Sequence, residues 1–219
     1  MVDAPRFPYP GSPPVHGPDD LYVTPPPWDI GRAQPVFVAL AEGGAIRGRV
    51  LDCGCGTGEH VLLAAGLGLD ATGVDLAATA LRIAEQKARD RGLTARFLHH
   101  DARRLAELGE RFDTVLDCGL FHIFDPDDRA AYVDSLRDVL VPGGRYLMLG
   151  FSDQQPGDWG PHRLTRDEIT TAFDDGWTID SLESATLEVT LDPAGMRAWQ
   201  LAATRTWPHP IERECSAPC

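Results

Sequence analysis

The chain has 219 residues, 43% of them hydrophobic, with a formal net charge of −13 and a sequence pI near 4.8. That length suits one compact α/β domain with an added arm and leaves little room for a second full domain. The acidic surface repels polyphosphate and no basic stripe offsets it, since the arginines are scattered and Lys87 is the only lysine, so nucleic acid is excluded as a partner.

Residues 1–27 are rich in Pro and Gly and cannot form a long helix. They make an arm that is either a lid or a disordered leader. The stretch has no basic start followed by an apolar run, so no secretory signal is expected. No apolar run reaches membrane-spanning length. An odd count of five cysteines does not make a disulfide scaffold. With no leader expected, that odd count favours a reducing cytoplasm as the expected location.

In "DIGRAQPVFVALAEGG" the apolar residues Val36, Phe37, Leu40 and Ala41 recur at helical spacing, with Pro35 suited to a first turn. From Arg49 onward, short apolar runs alternate with helical patterns. "RVLD", "DATGVDL", "ARFLHH", "FDTVLD" and "RYLMLGF" read as strands. Between them, "EHVLLAAGLG", "AATALRIAEQKARDRG" and "DDRAAYVDSLRDVLVPGG" read as helices closed by Gly or Pro-Gly-Gly. Thr165 and Glu168 form a capping-box pattern before "ITTAF", and residues 177–191 and 196–206 are two late strand candidates. The alternation predicts an α/β fold with a doubly wound, mostly parallel sheet over residues 28–208, followed by a tail at 209–219. Ligands of such sheets bind at the carboxyl ends of the strands, so the residues there are the ones to read for chemistry.

After Asp52 comes the run Cys53-Gly54-Cys55-Gly56-Thr57-Gly58, then a helix start at Glu59. A dinucleotide fingerprint needs G-x-G-x-x-G, and here its last position is Glu59, a carboxylate where a pyrophosphate would lie. A P-loop would need Lys and Ser or Thr after its last Gly. A ligand with one carboxylate and one positive group fits better, with Asp52 receiving the positive group. Cys53 and Cys55 could bind metal, but no matching pair stands at ligand spacing, so no metal is expected and small packing residues in a tight turn are the favoured reading. Asp75 can accept from both ribose hydroxyls, Asp101 can accept from an exocyclic amine, and the Ala102 backbone can serve a ring nitrogen. Together they describe a pocket for an amino acid joined to an adenosine.

"VLDCGCGTG", "GVDL", "HHDA", "FDTVLDCGLFH" and "LVPGGRYLML" stand in the order and spacing of the class I S-adenosylmethionine-dependent methyltransferases, which the chain resembles over roughly residues 28–206. The segment "PPWDIGRAQP" resembles the "PWD-G" element of the thiopurine, halide and thiol methyltransferase-like branch. The resemblance implies a Rossmann-like seven-stranded sheet with an antiparallel last strand and S-adenosylmethionine as cofactor. It also implies methionine-end contacts from Asp52, Gly54 and Gly56, and ribose contacts from Asp75. Adenine contacts would come from Leu76, Asp101 and Ala102, with the Asp117 and Cys118 backbone near the sulfonium. Trp28 and Gln34 would help close the pocket, and the arm, with Tyr22, would cover the substrate. No N-P-P-Y follows the fourth strand, which argues against DNA or protein glutamine as acceptor.

His122 follows the fourth strand. It is either a general base toward a hydroxyl, thiol or ring nitrogen, or a histidine that hydrogen-bonds the backbone and shapes the pocket. Phe121 is a candidate substrate contact beside it. His99 and His100 are read as structural. The loop "FSDQQPGDWGPHRL" either sets substrate choice through Gln155, Trp159, His162 and Arg163 or is a plain surface loop. The expectation is a cytoplasmic enzyme, monomer or homodimer, that methylates sulfur, nitrogen or oxygen of a small molecule, with no nucleic acid and no membrane as partner. A nicotinamide-dependent oxidoreductase and a non-catalytic S-adenosylmethionine-binding module are the alternatives.

Overall fold

The computed structural model describes residues 15–157 and 160–207. The strands are β1 (Arg49–Cys53), β2 (Asp70–Asp75), β3 (Arg96–His99), β4 (Phe112–Cys118), β5 (Leu140–Phe151), β6 (Trp177–Val189) and β7 (Asp192–Arg205). The helices are α1 (Pro35–Glu42), α2 (Glu59–Gly66), α3 (Ala78–Asp90), α4 (Pro126–Val139) and α5 (Arg166–Ala172). The strand order is β3-β2-β1-β4-β5-β7-β6. β1 to β5 are parallel, as the alternation predicted, and β7 runs antiparallel between β5 and β6, as the resemblance implied. The order reverses between β1 and β4, which opens a crevice at their carboxyl ends.

Local chemistry sets the helix ends. Pro35 and Pro126 occupy first turns, where no N–H is missed. Asp125 caps α4 by accepting from the Asp128 N–H at 2.9 Å. The Thr165–Glu168 capping box forms with both of its hydrogen bonds. Two elements depart from the sequence reading. β5 begins at Leu140 instead of Arg145, because Leu140 pairs with Phe112 and the Pro-Gly-Gly segment loops out before pairing resumes at Thr114 and Arg145. β7 begins at Asp192, so β6 and β7 form a tight hairpin that projects past the sheet edge. In the arm, Pro18–Tyr22 is a single 3-10 turn.

Both sheet faces are covered. On one, Phe121, Tyr132, Tyr146, Phe173 and Trp177 make an aromatic cluster under α4 and α5. On the other, Phe37, Val50, Val61, Leu116, Leu147 and Met196 pack beneath α1 and α2. Cys55 belongs to this second core; a Cβ on Gly73 would meet its sulfur at 2.7 Å, so the thiol fills the space a glycine leaves. No helix among the described residues is long and apolar enough to cross a membrane.

Candidate active site

A cavity of about 1010 Å³ lies at the carboxyl ends of β1, β2 and β4, between the arm and the β6–β7 hairpin. Its floor is the glycine loop. Asp75 organises that loop: its two carboxylate oxygens accept the N–H of Gly56 at 2.8 Å and of Ala77 at 2.7 Å. Each oxygen keeps a lone pair for a ligand. Burial pushes the Asp75 carboxyl up, and the backbone donors work against that shift. A Cβ on Gly56 would stand 2.8 Å from the Tyr22 hydroxyl, so the arm lies directly on the loop and only glycine admits it.

Further hydrogen bonds fix the arm. Asp29 accepts from the Thr57 hydroxyl at 2.7 Å, and Lys87 donates to Thr57 at 2.7 Å and to Glu59 at 2.8 Å. Gln34, 1% exposed, exchanges two hydrogen bonds with the Glu188 backbone, and the Thr190 N–H reaches the Pro27 carbonyl at 2.8 Å. Trp28 and Gln34 both line the cavity. Tyr22 lines it on the glycine-loop side.

Leu76, Asp101, Ala102 and Cys118 also line the cavity. Asp101 and Arg103 form a forked pair, and Arg103 goes on to Asp128 at 2.7 Å. Burial raises Asp101, but Arg103 outweighs it and the net shift is downward. Glu59 corrects an expectation. It is not a free charge facing a ligand: Lys87 and Arg91 hold both its oxygens at 2.8–2.9 Å.

Asp52 and Asp117 lie beneath the cavity, outside its wall. Asp52 is 1% exposed, its Oδ2 has no hydrogen-bond partner among the described residues, and burial followed by Asp117 and Asp75 pushes its carboxyl well up. The His60 Nδ1 stands 3.9 Å away. Asp117 accepts from the Tyr132 and Tyr146 hydroxyls at 3.0 and 2.7 Å and from the Leu120 N–H at 2.8 Å. The Phe121 N–H is its fourth donor. Asp117 therefore fixes the turn after β4 from below.

The expected acceptor side is only partly brought together. His122 lines the cavity. Phe121 does not: it is fully buried among Tyr132, Phe173 and Arg129, because the short 3-10 turn Phe121–Ile123 points successive side chains in different directions. His162 sits outside the wall on Glu168 at 2.7 Å, and Arg163 binds the Gln155 carbonyl at 2.8 Å. Gln155 itself accepts from the Arg197 N–H. Trp159 lies outside the described residues. The wall is supplied instead by Leu187, Val189, Leu191 and Met196 of the hairpin, with Ile123 and Phe151. The alternation in "TLEV" puts Leu187 and Val189 on one face of β6 and was the available signal, while Leu191 lies in the turn before β7.

A methyltransferase-domain family model matches residues 50–144, which span the glycine loop, β2, β3 and β4. The 2-heptyl-1-hydroxyquinolin-4(1H)-one methyltransferase of Mycobacteroides abscessus is 36% identical over 165 residues, 74% of this chain and 73% of that protein. The chain belongs to the class I S-adenosylmethionine-dependent methyltransferases. The probable thiol methyltransferase 2 of Arabidopsis thaliana is 30% identical over 145 residues, 65% of this chain, and this match spans 64% of that relative's length. A solved structure described as "Conversion of a Disulfide Bond into a Thioacetal Group during Echinomycin Biosynthesis" superposes with a TM-score of 0.77 at 39% identity, covering 84% of this chain and 87% of that one.

The donor set suits the methyltransferase cofactor. A pyrophosphate would want free cations, yet Lys87 and Arg91 are spent on Glu59, and Arg103 on Asp101 and Asp128. Acceptors at Asp75 and Asp101, apolar edges at Leu76 and Ala102, and open main chain at the glycine loop match an adenosine carrying an amino acid.

Proposed function

We propose that this methyltransferase acts on a sulfur, nitrogen or oxygen of an apolar small molecule. The observation that carries the reading is the continuity of one cavity from the glycine loop to the aliphatic hairpin wall, with a volume at the upper end of ordinary ligand pockets. That is room for a cofactor and an acceptor together. The names of the two relatives, one acting on an alkylated hydroxyquinolinone and one on thiols, support the same class. The net charge of −13 disfavours a polyanion. The free, buried thiols of Cys53 and Cys55 suit a reducing cytoplasm.

S-adenosylmethionine supplies a methyl group already activated by its sulfonium. The chain need only bind, align and exclude water. In this reading Asp75 holds the ribose hydroxyls, Asp101 and the Ala102 backbone read the adenine, and Leu76 covers its edge. The Gly54, Gly56 and Cys118 main chain meets the methionine end. Asp52 and Asp117 act from below, by fixing the loops that touch the cofactor. Trp28, Gln34 and the arm close over the site as a lid.

Calorimetric titration with S-adenosylhomocysteine tests the cofactor site. The protein should bind it, and Asp75→Ala should weaken binding by at least about tenfold, through loss of charge-assisted hydrogen bonds of about 1.5–3 kcal/mol. Unchanged affinity in Asp75→Ala, or binding of a nicotinamide dinucleotide instead, refutes the assignment. Screening thiols, halides, phenols and N-heterocycles for S-adenosylhomocysteine production then identifies the acceptor.

A further inference from the structure

One hydrogen bond orients the His122 ring, which also stands edge-on to Phe151. Its Nδ1 accepts the Phe151 main-chain N–H at 3.0 Å, and the residue is 6% exposed. A nitrogen that accepts from an amide carries no proton, so the neutral ring bears its hydrogen on Nε2. Protonation would turn Nδ1–H against that N–H. Burial, with Arg129 of α4 and His162 of the loop after β5 adding to it, pushes the imidazole down to about 3. The ring therefore stays neutral in one tautomer. Nε2 has no hydrogen-bond partner among the described residues, and His122 lines the cavity. Gly119, with φ at +88°, stands beside it; a Cβ there would lie 3.2 Å from Cε1 and 3.5 Å from Nε2, so glycine leaves that edge of the ring open.

The cavity offers few other bases. Every described carboxylate in its wall is already engaged. Asp29 is held by Thr57, Glu59 by Lys87 and Arg91, and Asp75 by two backbone N–H groups. Asp101 and Asp128 are held by Arg103, and Asp125 caps α4. His60 accepts from the Gln34 N–H, and the His100 Nε2 meets the Arg104 carbonyl. His16 is exposed on the arm. The same cavity is lined by the aliphatic side chains of Leu187, Val189, Leu191 and Met196.

We propose that His122 is a fixed hydrogen-bond donor, through Nε2–H, to the acceptor's nucleophilic atom, and that the acceptor is an apolar molecule bearing a thiol or hydroxyl acidic enough to react as its anion. This rests on the methyl-transfer reading above. The acceptor releases its proton to water before or during binding. Its lone pair then forms the bond to the methyl carbon as the carbon–sulfur bond breaks with its electron pair left on sulfur. The anionic and sulfonium charges cancel and no proton remains to be placed. A donor aimed at the anion offsets the cost of drawing it into an apolar wall and favours the ionised form.

Nitrophenol and nitrothiophenol are coloured as anions, so their ionisation can be read spectrophotometrically on the full chain saturated with S-adenosylhomocysteine. The bound acceptor should ionise about one pH unit lower than in water, in the parent and in His122→Gln, whose amide can still donate, but not in His122→Phe. Turnover should stay within about threefold in His122→Gln and fall on the order of 100-fold in His122→Phe. Across acceptors of graded acidity, the midpoint of the pH–rate curve should follow the acceptor. Equal losses in both variants, an unshifted bound acceptor, or one enzyme midpoint common to all acceptors and abolished by His16→Ala would overturn the proposal. A protein that binds S-adenosylhomocysteine yet gives those results loses only the donor role; one that does not bind it loses the methyl-transfer reading as well.

Discussion

Asp117→Asn is the sharpest single perturbation of the site's foundation. Four donors converge on a fully buried carboxylate: two phenols at 3.0 and 2.7 Å and the N–H groups of Leu120 and Phe121. Burial raises the carboxyl, and the Tyr146, Leu120, Tyr132 and Phe121 donors work against that. Four converging donors suit a carboxylate, because the acid form would have to donate to one of them. Asparagine has the same shape but only one accepting oxygen. Its best orientation keeps that oxygen on the two backbone N–H groups and turns the NH₂ toward the phenols. The phenolic oxygens can then accept, but their two O–H groups lose their acceptor. At about 1–3 kcal/mol for each buried orphan, the loss is about 2–6 kcal/mol, a fall in Tm of roughly 4–24 °C for a chain of this size. Urea unfolding followed by the fluorescence of the buried Trp177 and Trp199 measures it. Adding Tyr132→Phe and Tyr146→Phe to Asp117→Asn removes the orphans and should restore part of the loss, although each Tyr→Phe alone destabilises. A cost below about 0.5 kcal/mol for Asp117→Asn, or simple additivity in the triple variant, would refute the account of this cluster.

Lys87→Met removes the cation that joins Glu59, Thr57 and Asp29, while Arg91 remains on Glu59. It should cost about 1–2 kcal/mol in urea and speed S-adenosylhomocysteine release several-fold, because the arm loses its tie to the glycine loop; unchanged release in stopped-flow measurements would remove the clamp. Acid sensitivity follows from Glu168 and Glu110. Burial acts to raise Glu168, but the Thr165 backbone and His162 outweigh it and hold the carboxyl at about 2. Arg96 and Arg49 hold Glu110 at about 2. Both lie below the usual glutamate value, so the stability they contribute is complete above about pH 4.5 and is lost as pH falls toward 2. Urea midpoints should decline over that window, and Glu168→Gln should flatten the decline; an equal slope in the variant contradicts the assignment.

The order of strands and helices was legible because apolar runs and Gly or Pro stops are local signals, and the glycine loop, Asp75 and Asp101 were legible because the chemistry of a doubly wound sheet collects at strand ends. Which way a strand-end side chain points was not. β1 and β4 are buried on both faces, so their burial does not alternate and the pattern carries no facing information. Asp52 and Asp117 each precede the last residue of their strand and lie under the crevice, whereas Cys118, one residue later, reaches its wall. The polar partners that make sense of Asp117 sit 15 and 29 residues further along, on α4 and β5, as tyrosines indistinguishable from ordinary core aromatics until the two elements are packed. The hairpin wall is the converse case. Along β6, Leu187 and Val189 alternate with Thr186 and Glu188, and the sequence held their facing but not their destination, since the wall they join is completed by Leu191 in the turn and Met196 of the antiparallel β7. The composition of this wall therefore depends on long-range pairing more than on any motif.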